Sequence, residues 1–352
     1  MQKNNISSNI GSNDSVVFQD NGTKRLKGSY PKIIANRNDI VVHIKNQLNI
    51  HKRYGTHSDF SRFSIRYFVS KDITMQLKEK LNQQIDDFYV QVECIIPIVN
   101  QSFSWVWIGG NINSRKTDPK LLNKMHKSIT NFLNKDNPIL TKTIPSTHES
   151  VLFGSKSRIS SLNPKHTPSG VKTQEINMEQ STSIANLFKT RMPTYITNNS
   201  DPNYIIEIAS NTDTFLFCAI NNSNKQIEAV VANEITEYPY SNDKLKASQN
   251  IRVCETNDWI KSANTSKQVM ENLLFVALQN AVLQNCDIIE AECMPNSFSL
   301  CGKAGFVSTD HPLERTSIIK TDIENEENFD TSISEKYRDF NSLFLGVFNT
   351  RL

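Results

Sequence analysis

Residues 286–306 read CDIIEAECMPNSFSLCGKAGF. The first part, DIIEAECMP, is strand-like. Its apolar members Ile288, Ile289 and Ala291 form a short run that ends at Pro295. NSFSL, residues 296–300, reads as a short helix, and Lys303-Ala304-Gly305-Phe306 turns the chain back at a glycine. Immediately upstream lies SKQVMENLLFVALQNAVLQN, residues 266–285. It is apolar nearly all round, with the polar Gln279, Asn280, Gln284 and Asn285 only late, as expected of a helix buried against a sheet. Before it stands another strand pattern, NIRVCETND, residues 250–258. The unit is therefore strand–helix–strand followed by a glycine corner.

Working outward, VKTQEINM (171–178) reads as a strand and EQSTSIANLFKTRM (179–192) as a helix. PNYIIEIAS (202–210) is a second helix, followed by the strands TFLFCAIN (214–221) and IEAVVANEITEY (227–238). The order strand, two helices, three strands, helix, strand, together with KAGF, is similar to that of the GNAT superfamily of N-acyltransferases. TRMPTYITNNSDPNYI ahead of the central hairpin most resembles the beta-lysine N-acetyltransferases. The resemblance covers residues 173–322. It implies an α/β (α+β) fold whose mixed central sheet is flanked by helices.

It also implies a chemistry. In this family the fourth strand splays from the fifth, and backbone amides in the gap hold the pantetheine arm of acetyl-CoA. That assigns Val253 and Cys254 as cofactor-binding. The next helix presents its amide N–H groups and positive dipole end to the pyrophosphate, normally through glycines that let the backbone approach the phosphates. No glycine occurs between Gly170 and Gly302, and Thr265, Ser266, Lys267 and Gln268 stand over the loop instead. These four read first as an ordinary Ser/Thr helix cap and second as a modified anion site. A general acid four residues before the final glycine would be Cys301, and the strand carboxylates Glu255 and Glu234, with Glu237, are candidate bases. No histidine lies between His166 and His311, and no Cys/His spacing suggests a metal.

The first half carries no motif of known chemistry. Residues 1–30 read as a disordered tail and 31–153 as a smaller α/β domain. Within it DIVVHI and RFSIRYFV are expected as strands and ITMQLKEKLNQQIDD as a helix. FYVQVECIIPIV and FSWVWIGG follow as strands, and DPKLLNKMHKSITNFLNK as a helix capped by Asp118-Pro119. Trp105 and Trp107 alternate and so share one face, as core residues ahead of a stacking platform. The Ser/Pro/Gly-rich stretch 154–172 reads as a linker, and 323–352 as a C-terminal extension.

At 352 residues and 38% hydrophobic content, two ordinary domains with real cores are possible. No apolar run is long enough to span a bilayer, and the first residues lack a secretory layout. Six dispersed cysteines suit buried thiols in the reducing cytoplasm. The net charge of +3 hides an asymmetry: residues 1–170 hold 24 Lys and Arg against 12 Asp and Glu, residues 171–352 hold 15 against 24. The basic half admits nucleic acid only as a distant reading, because its charges are scattered. The acidic half suits a cationic substrate. The expected activity is acetyl-CoA-dependent N-acyl transfer to a small amine or amino acid. The alternative is a catalytically inactive domain of that shape, serving as a binding or interaction module.

Overall fold

The computed structural model describes residues 16–20, 25–54, 62–81, 83–97, 102–112, 143–192, 198–239, 250–293, 300, 303–304, 307–308 and 344–348. They form two mixed sheets, one of six strands and one of eight.

The first sheet contains β1 (Val16–Asp20), β2 (Arg25–Ile34), β3 (Arg62–Ser70), β4 (Gln83–Ile85), β5 (Phe88–Pro97) and β6 (Phe103–Ile112). Their order is β1-β2-β3-β6-β5-β4, with β2 and β3 parallel. Helices α1 (Arg37–Tyr54) and α2 (Lys71–Lys80) accompany it. Alternation along β3 explains how both faces are used. Phe63, Ile65, Tyr67 and Val69 join Ile40, Ile44, Leu48 and Leu77 in one core. Arg66 and Phe68 point the other way, with Trp105 and Trp107 of β6. Gly110 has to be small, since a Cβ there would lie 2.2 Å from the Phe63 ring opposite it.

Several expectations fail in this half. Residues 39–44 are helical, inside α1. The β-branched run imitated a strand, but Ile40, Ile44 and Leu48 recur at helical spacing and are buried. The helix expected over 73–87 stops at Lys80, and β4 and β5 turn at Asp86, whose φ is 49°. The expected tail, 1–30, includes β1 and most of β2, where Leu26 is fully buried. The helix expected at 118–135 lies outside the described residues. Trp105 and Trp107 are core residues, as the sequence indicated.

The second sheet runs β13-β14-β12-β11-β10-β9-β7-β8. Its strands are β7 (His148–Gly154), β8 (Val171–Glu175), β9 (Thr214–Asn221), β10 (Ile227–Pro239), β11 (Asn250–Lys261), β12 (Ile288–Cys293), β13 (Val307–Ser308) and β14 (Phe344–Phe348). The expected order from residue 171 onward holds: β8, then α4 (Met178–Arg191) and α5 (Pro202–Ser210), three strands, α6 (Lys267–Leu283) and β12. Local chemistry sets these starts. Asn177 and Gln180 form a reciprocal capping box on α4, and Asp201 caps α5 ahead of Pro202. Helix α6 covers one face of the sheet, with Leu273, Leu274, Ala277 and Ala281 inside. Helices α4 and α5 cover part of the other.

The linker expected at 154–172 is instead packed structure. It contains the short helix α3 (Lys156–Ser161), capped by Ser155, and a 3-10 turn at Pro164–His166, capped by Asn163. The Ser/Asn/Pro composition encodes caps rather than slack chain. Arg158 is buried and donates to the carbonyls of Ala209, Asn211 and Thr212 at the C-terminus of α5. Strand β7, expected in the first domain, sits between β8 and β9. The expected extension 323–352 supplies β14, which lies between β12 and β13. Among the described residues no helix is long and apolar enough to cross a membrane.

The two sheets meet face to face. Phe68, Phe103, Trp105 and Trp107 of the first pack on Tyr238, Ile251, Val253 and Ile288 of the second. The Tyr238 hydroxyl donates to Ser29 Oγ at 3.1 Å.

Candidate functional site

β11 and β12 run parallel but pair over only three rungs, Val253 with Ile288, Cys254 with Ile289 and Glu255 with Glu290. Beyond Glu255, β11 continues to Lys261 against β10 alone, and β12 continues to Cys293 against β14. Among the described residues the edge of β11 facing that gap is thus open from residue 256 onward. The same stretch carries a bulge, where the β10–β11 register jumps between Val230/Ile260 and Ala232/Asn257 and Asp258 takes a φ of 57°. The bulge reverses which side chains face which side. Trp259 packs towards the α6 core and donates to Thr256 Oγ1 at 3.1 Å, and Ile260 joins the α4/α5 core. Val253 and Cys254, expected in the gap, lie on its paired rungs. Val253 is buried against the first sheet and Cys254 against α6. The open backbone begins one residue past Glu255, because the strands stay hydrogen-bonded until there.

Past the gap stands the N-terminus of α6. Ser266 is its N-cap, accepting from the Val269 amide at 3.4 Å, and Lys267 and Gln268 are exposed on the first turn. Thr265 is buried and already engaged. Its hydroxyl donates to Glu228 Oε2 at 3.0 Å and meets Ser262 Oγ at 2.6 Å. The Lys261 ammonium donates to the Thr265 carbonyl at 2.7 Å. Burial lowers its pKa, and the nearby charges of Arg191 and Lys267 lower it further. Three cations therefore gather beside a helix start whose first-turn amides have no partner within the helix.

The carboxylates divide into two groups. Glu255 Oε2 accepts from Arg66 Nη2 at 2.8 Å, across the junction of the sheets. Its rung partner Glu290 is fully buried. Both Trp105 Nε1 (3.1 Å) and Trp107 Nε1 (3.0 Å) donate to Glu290 Oε2, and Arg66 Nε lies 3.3 Å from Oε1. Burial pushes the Glu290 pKa up, Arg66 pulls it down and Glu255 pushes it up again, with a net rise. The Arg66 guanidinium stacks on Trp107 at 4.1 Å. Expected as a base, Glu255 is instead the partner of an arginine 189 residues away.

Glu234 lies opposite Glu255 in the β10–β11 register, is exposed, and accepts from Asn257 Nδ2 at 3.0 Å. Around it gather Asp258, Glu207 and Tyr204. Burial raises the Tyr204 pKa most, and Asp258, Glu234 and Glu207 raise it further in that order. Glu237 pairs with Arg252 Nε at 3.0 Å. Cys301 lies outside the described residues. Among the described residues, no three His, Cys, Asp or Glu side chains are grouped to hold a metal ion.

Arg66, Trp105, Trp107, Glu290, Asp258 and Tyr204 were not singled out in the sequence as site residues. One local signal existed: Asn257-Asp258 interrupts a strand pattern, as a bulge does.

No family model matches the sequence, and no curated protein is similar to it in sequence. Solved structures similar in shape include acetyltransferases. One is an acetyltransferase from Trypanosoma brucei, at 9% identity and a TM-score of 0.32, covering 42% of this chain and 96% of that one. Another is glucosamine-6-phosphate N-acetyltransferase from Arabidopsis thaliana, at 12% identity and a TM-score of 0.30, covering 45% and 97%. A third is a predicted acetyltransferase with acetyl-CoA from Clostridium acetobutylicum, at 14% identity and a TM-score of 0.31, covering 44% and 96%.

Proposed function

We propose that this protein is an acetyl-CoA-dependent N-acyltransferase acting on a small amine or amino acid. The observation that carries the reading is the parting of β11 from β12 after three rungs, beside the bulge at Asp258. An open strand edge binds an amide-bearing arm by extending the sheet. The first turn of α6, with Arg191, Lys261 and Lys267, fits a pyrophosphate by charge and by helix polarity. Side chains stand where glycines would bring phosphate closest, so the fit is looser than a glycine loop provides.

When bound, acetyl-CoA supplies an acetyl thioester open to attack by an amine. The chain's own residues do the remaining work. Glu207, Glu234 and Asp258 attract a cationic acceptor. Exposed Glu234 takes the ammonium proton, directly or through water. Tyr204, kept protonated by burial and by Asp258, Glu234 and Glu207, would hold the proton that a leaving thiolate needs. Glu255 is not the base here, since its charge is committed to Arg66. The buried free thiols of Cys218, Cys254 and Cys286 suit a cytoplasmic setting.

Calorimetric titration with acetyl-CoA tests the reading. Micromolar to submillimolar binding is expected, tightening about tenfold in Ser266→Gly/Gln268→Gly as roughly one charge-assisted hydrogen bond is gained. Tyr204→Phe lowers turnover without changing acetyl-CoA affinity. Absence of binding in both the natural and the glycine-bearing protein refutes it. That result favours the second reading, an inactive interaction module, which rests on the glycine-free loop and the engaged Glu255.

A further inference from the structure

We propose that Arg66, from the N-terminal sheet, is a positioning residue for the gap between β11 and β12, bridging Glu255 and Glu290 at the last paired rung and so fixing where the strands part. This rests on the acyltransferase reading only for what the gap is used for.

Glu255 and Glu290 are Cα partners on adjacent parallel strands, so their side chains leave the sheet on the same face. Adjacent strands lie about 4.8 Å apart, and both side chains enter the junction with the first sheet. The Glu290 side chain is 0% exposed and that of Glu255 12%. Two carboxylates so close and so dry cannot both stay ionised without a cation. Arg66 is the cation, and it reaches both: Nη2 to Glu255 at 2.8 Å and Nε to Glu290 at 3.3 Å. A planar guanidinium suits this bridging role better than an ammonium does. Among the described residues, the charged and titratable groups facing this cluster include Arg66 from β3, Glu255 from β11, Glu290 from β12 and Tyr238 from β10. Strand β6 adds the two indole donors, and β2 the Ser29 hydroxyl.

The clamp sits on the rung where pairing stops. Above it, no described residues of the sheet join β11 to β12, so the rung sets the depth of the gap. With Arg66 gone, the rung holds two facing carboxylates. The protein then either takes up a proton or lets the rung open. The N-terminal sheet thus sets the geometry of the second sheet's gap, although its own residues lie on the far side of the junction from α6.

The test compares Arg66→Met, Arg66→Lys and Arg66→Met/Glu255→Gln with the natural protein, reading melting temperature from pH 5.5 to pH 8. In Arg66→Met the folded-state pKa of the carboxylate pair is raised above its unfolded value. Stability then falls as pH rises from the ordinary carboxylate range towards the raised value. We expect Arg66→Met to melt roughly 10 °C below the natural protein at pH 8, with at least half of that deficit gone at pH 5.5. Adding Glu255→Gln lessens the pH dependence and leaves only the part that burial of Glu290 causes, and Arg66→Lys loses less than Arg66→Met. A deficit that is equal at both pH values, or one the double variant retains in full, means that Arg66 acts by packing on Trp107, and overturns the clamp. If Arg66→Met does not fold, a folded double variant supports the proposal and an unfolded one overturns it.

Acetyl-CoA titration supplies the second arm. Affinity of Arg66→Met should fall at least tenfold at pH 8 and recover towards pH 5.5; unchanged affinity at pH 8 overturns the role in the gap. If the natural protein binds no acetyl-CoA, the acyltransferase reading fails, and the melting series still decides the clamp.

Discussion

Removing the Glu290 carboxylate measures how firmly the two sheets are joined. In Glu290→Ala, the indole N–H groups of Trp105 and Trp107 lose their acceptor inside a junction where both rings are buried. An unsatisfied buried donor costs about 1–3 kcal/mol. Arg66 keeps Glu255 but loses its second partner. Breaking one side of a buried ion pair costs about 3–5 kcal/mol when the remaining charge has no other partner, so the retained contact with Glu255 reduces that figure. The removed side chain also leaves a cavity, and the effects overlap rather than add. A total of about 4–6 kcal/mol follows, or a melting temperature lower by roughly 10–20 °C. Glu290→Gln keeps the acceptor for the indoles but turns an amide N–H towards Arg66, and should cost about half as much. Two of the three tryptophans in the chain sit at this carboxylate, so intrinsic fluorescence reports the junction directly. A Glu290→Ala protein that melts within about 2 °C of the natural one, with an unchanged emission maximum, would refute the assignment of Glu290 as the centre of the junction.

Two further outcomes are expected. Burial resists ionisation of Glu228, but hydrogen bonds from His148, Asn221 and Thr265 outweigh it and hold the pKa below its ordinary value. Its folded pKa is thus depressed, so the stability it contributes is present above the unfolded pKa and is lost as pH falls through the folded one. Urea titrations should show Glu228→Gln about 1–2 kcal/mol less stable at pH 7, with the difference shrinking as pH falls below the ordinary glutamate range. Arg158 reaches three carbonyls at the end of α5, and neither alanine nor lysine can reproduce its fork. Both variants should lose about 3 kcal/mol or more in urea unfolding, and Arg158→Ala should make residues 154–172 protease-sensitive, a stretch expected to resist cleavage in the natural protein because it is packed.

What the sequence disclosed was mostly local. The order of elements from residue 171 to 293 followed from apolar patterning such as the buried run of α6, and the structure adds the local caps that set the helix starts: Asn177 with Gln180, and Asp201 with Pro202. Misreadings came where a local signal had two meanings. A β-branched run with an (i, i+4) repeat became α1, and a Ser/Asn/Pro-rich segment proved to hold caps and an anchored arginine. Strand β14 is a different failure. Its place between β12 and β13 depends on long-range pairing, to which local patterning gives no access.

The same distinction governs the candidate site. The splay was implied by the family resemblance that the element order carries, and the cap at Ser266 was legible from residue type. The charge state of Glu255 could not be read that way. It depends on Arg66, 189 residues earlier, and on Glu290, which itself depends on two indoles of the first sheet. A carboxylate on a strand looks the same in sequence whether it faces water as a base or a guanidinium as a structural partner. Burial and pairing decide between those roles. Exposed Glu234, a register partner of Glu255, faces solvent, while Glu255 is paired with an arginine from the other sheet. The junction of the sheets thus does more than bury apolar surface: it ties one carboxylate of the Glu234–Glu255 rung to an arginine of the other sheet and leaves its neighbour facing solvent.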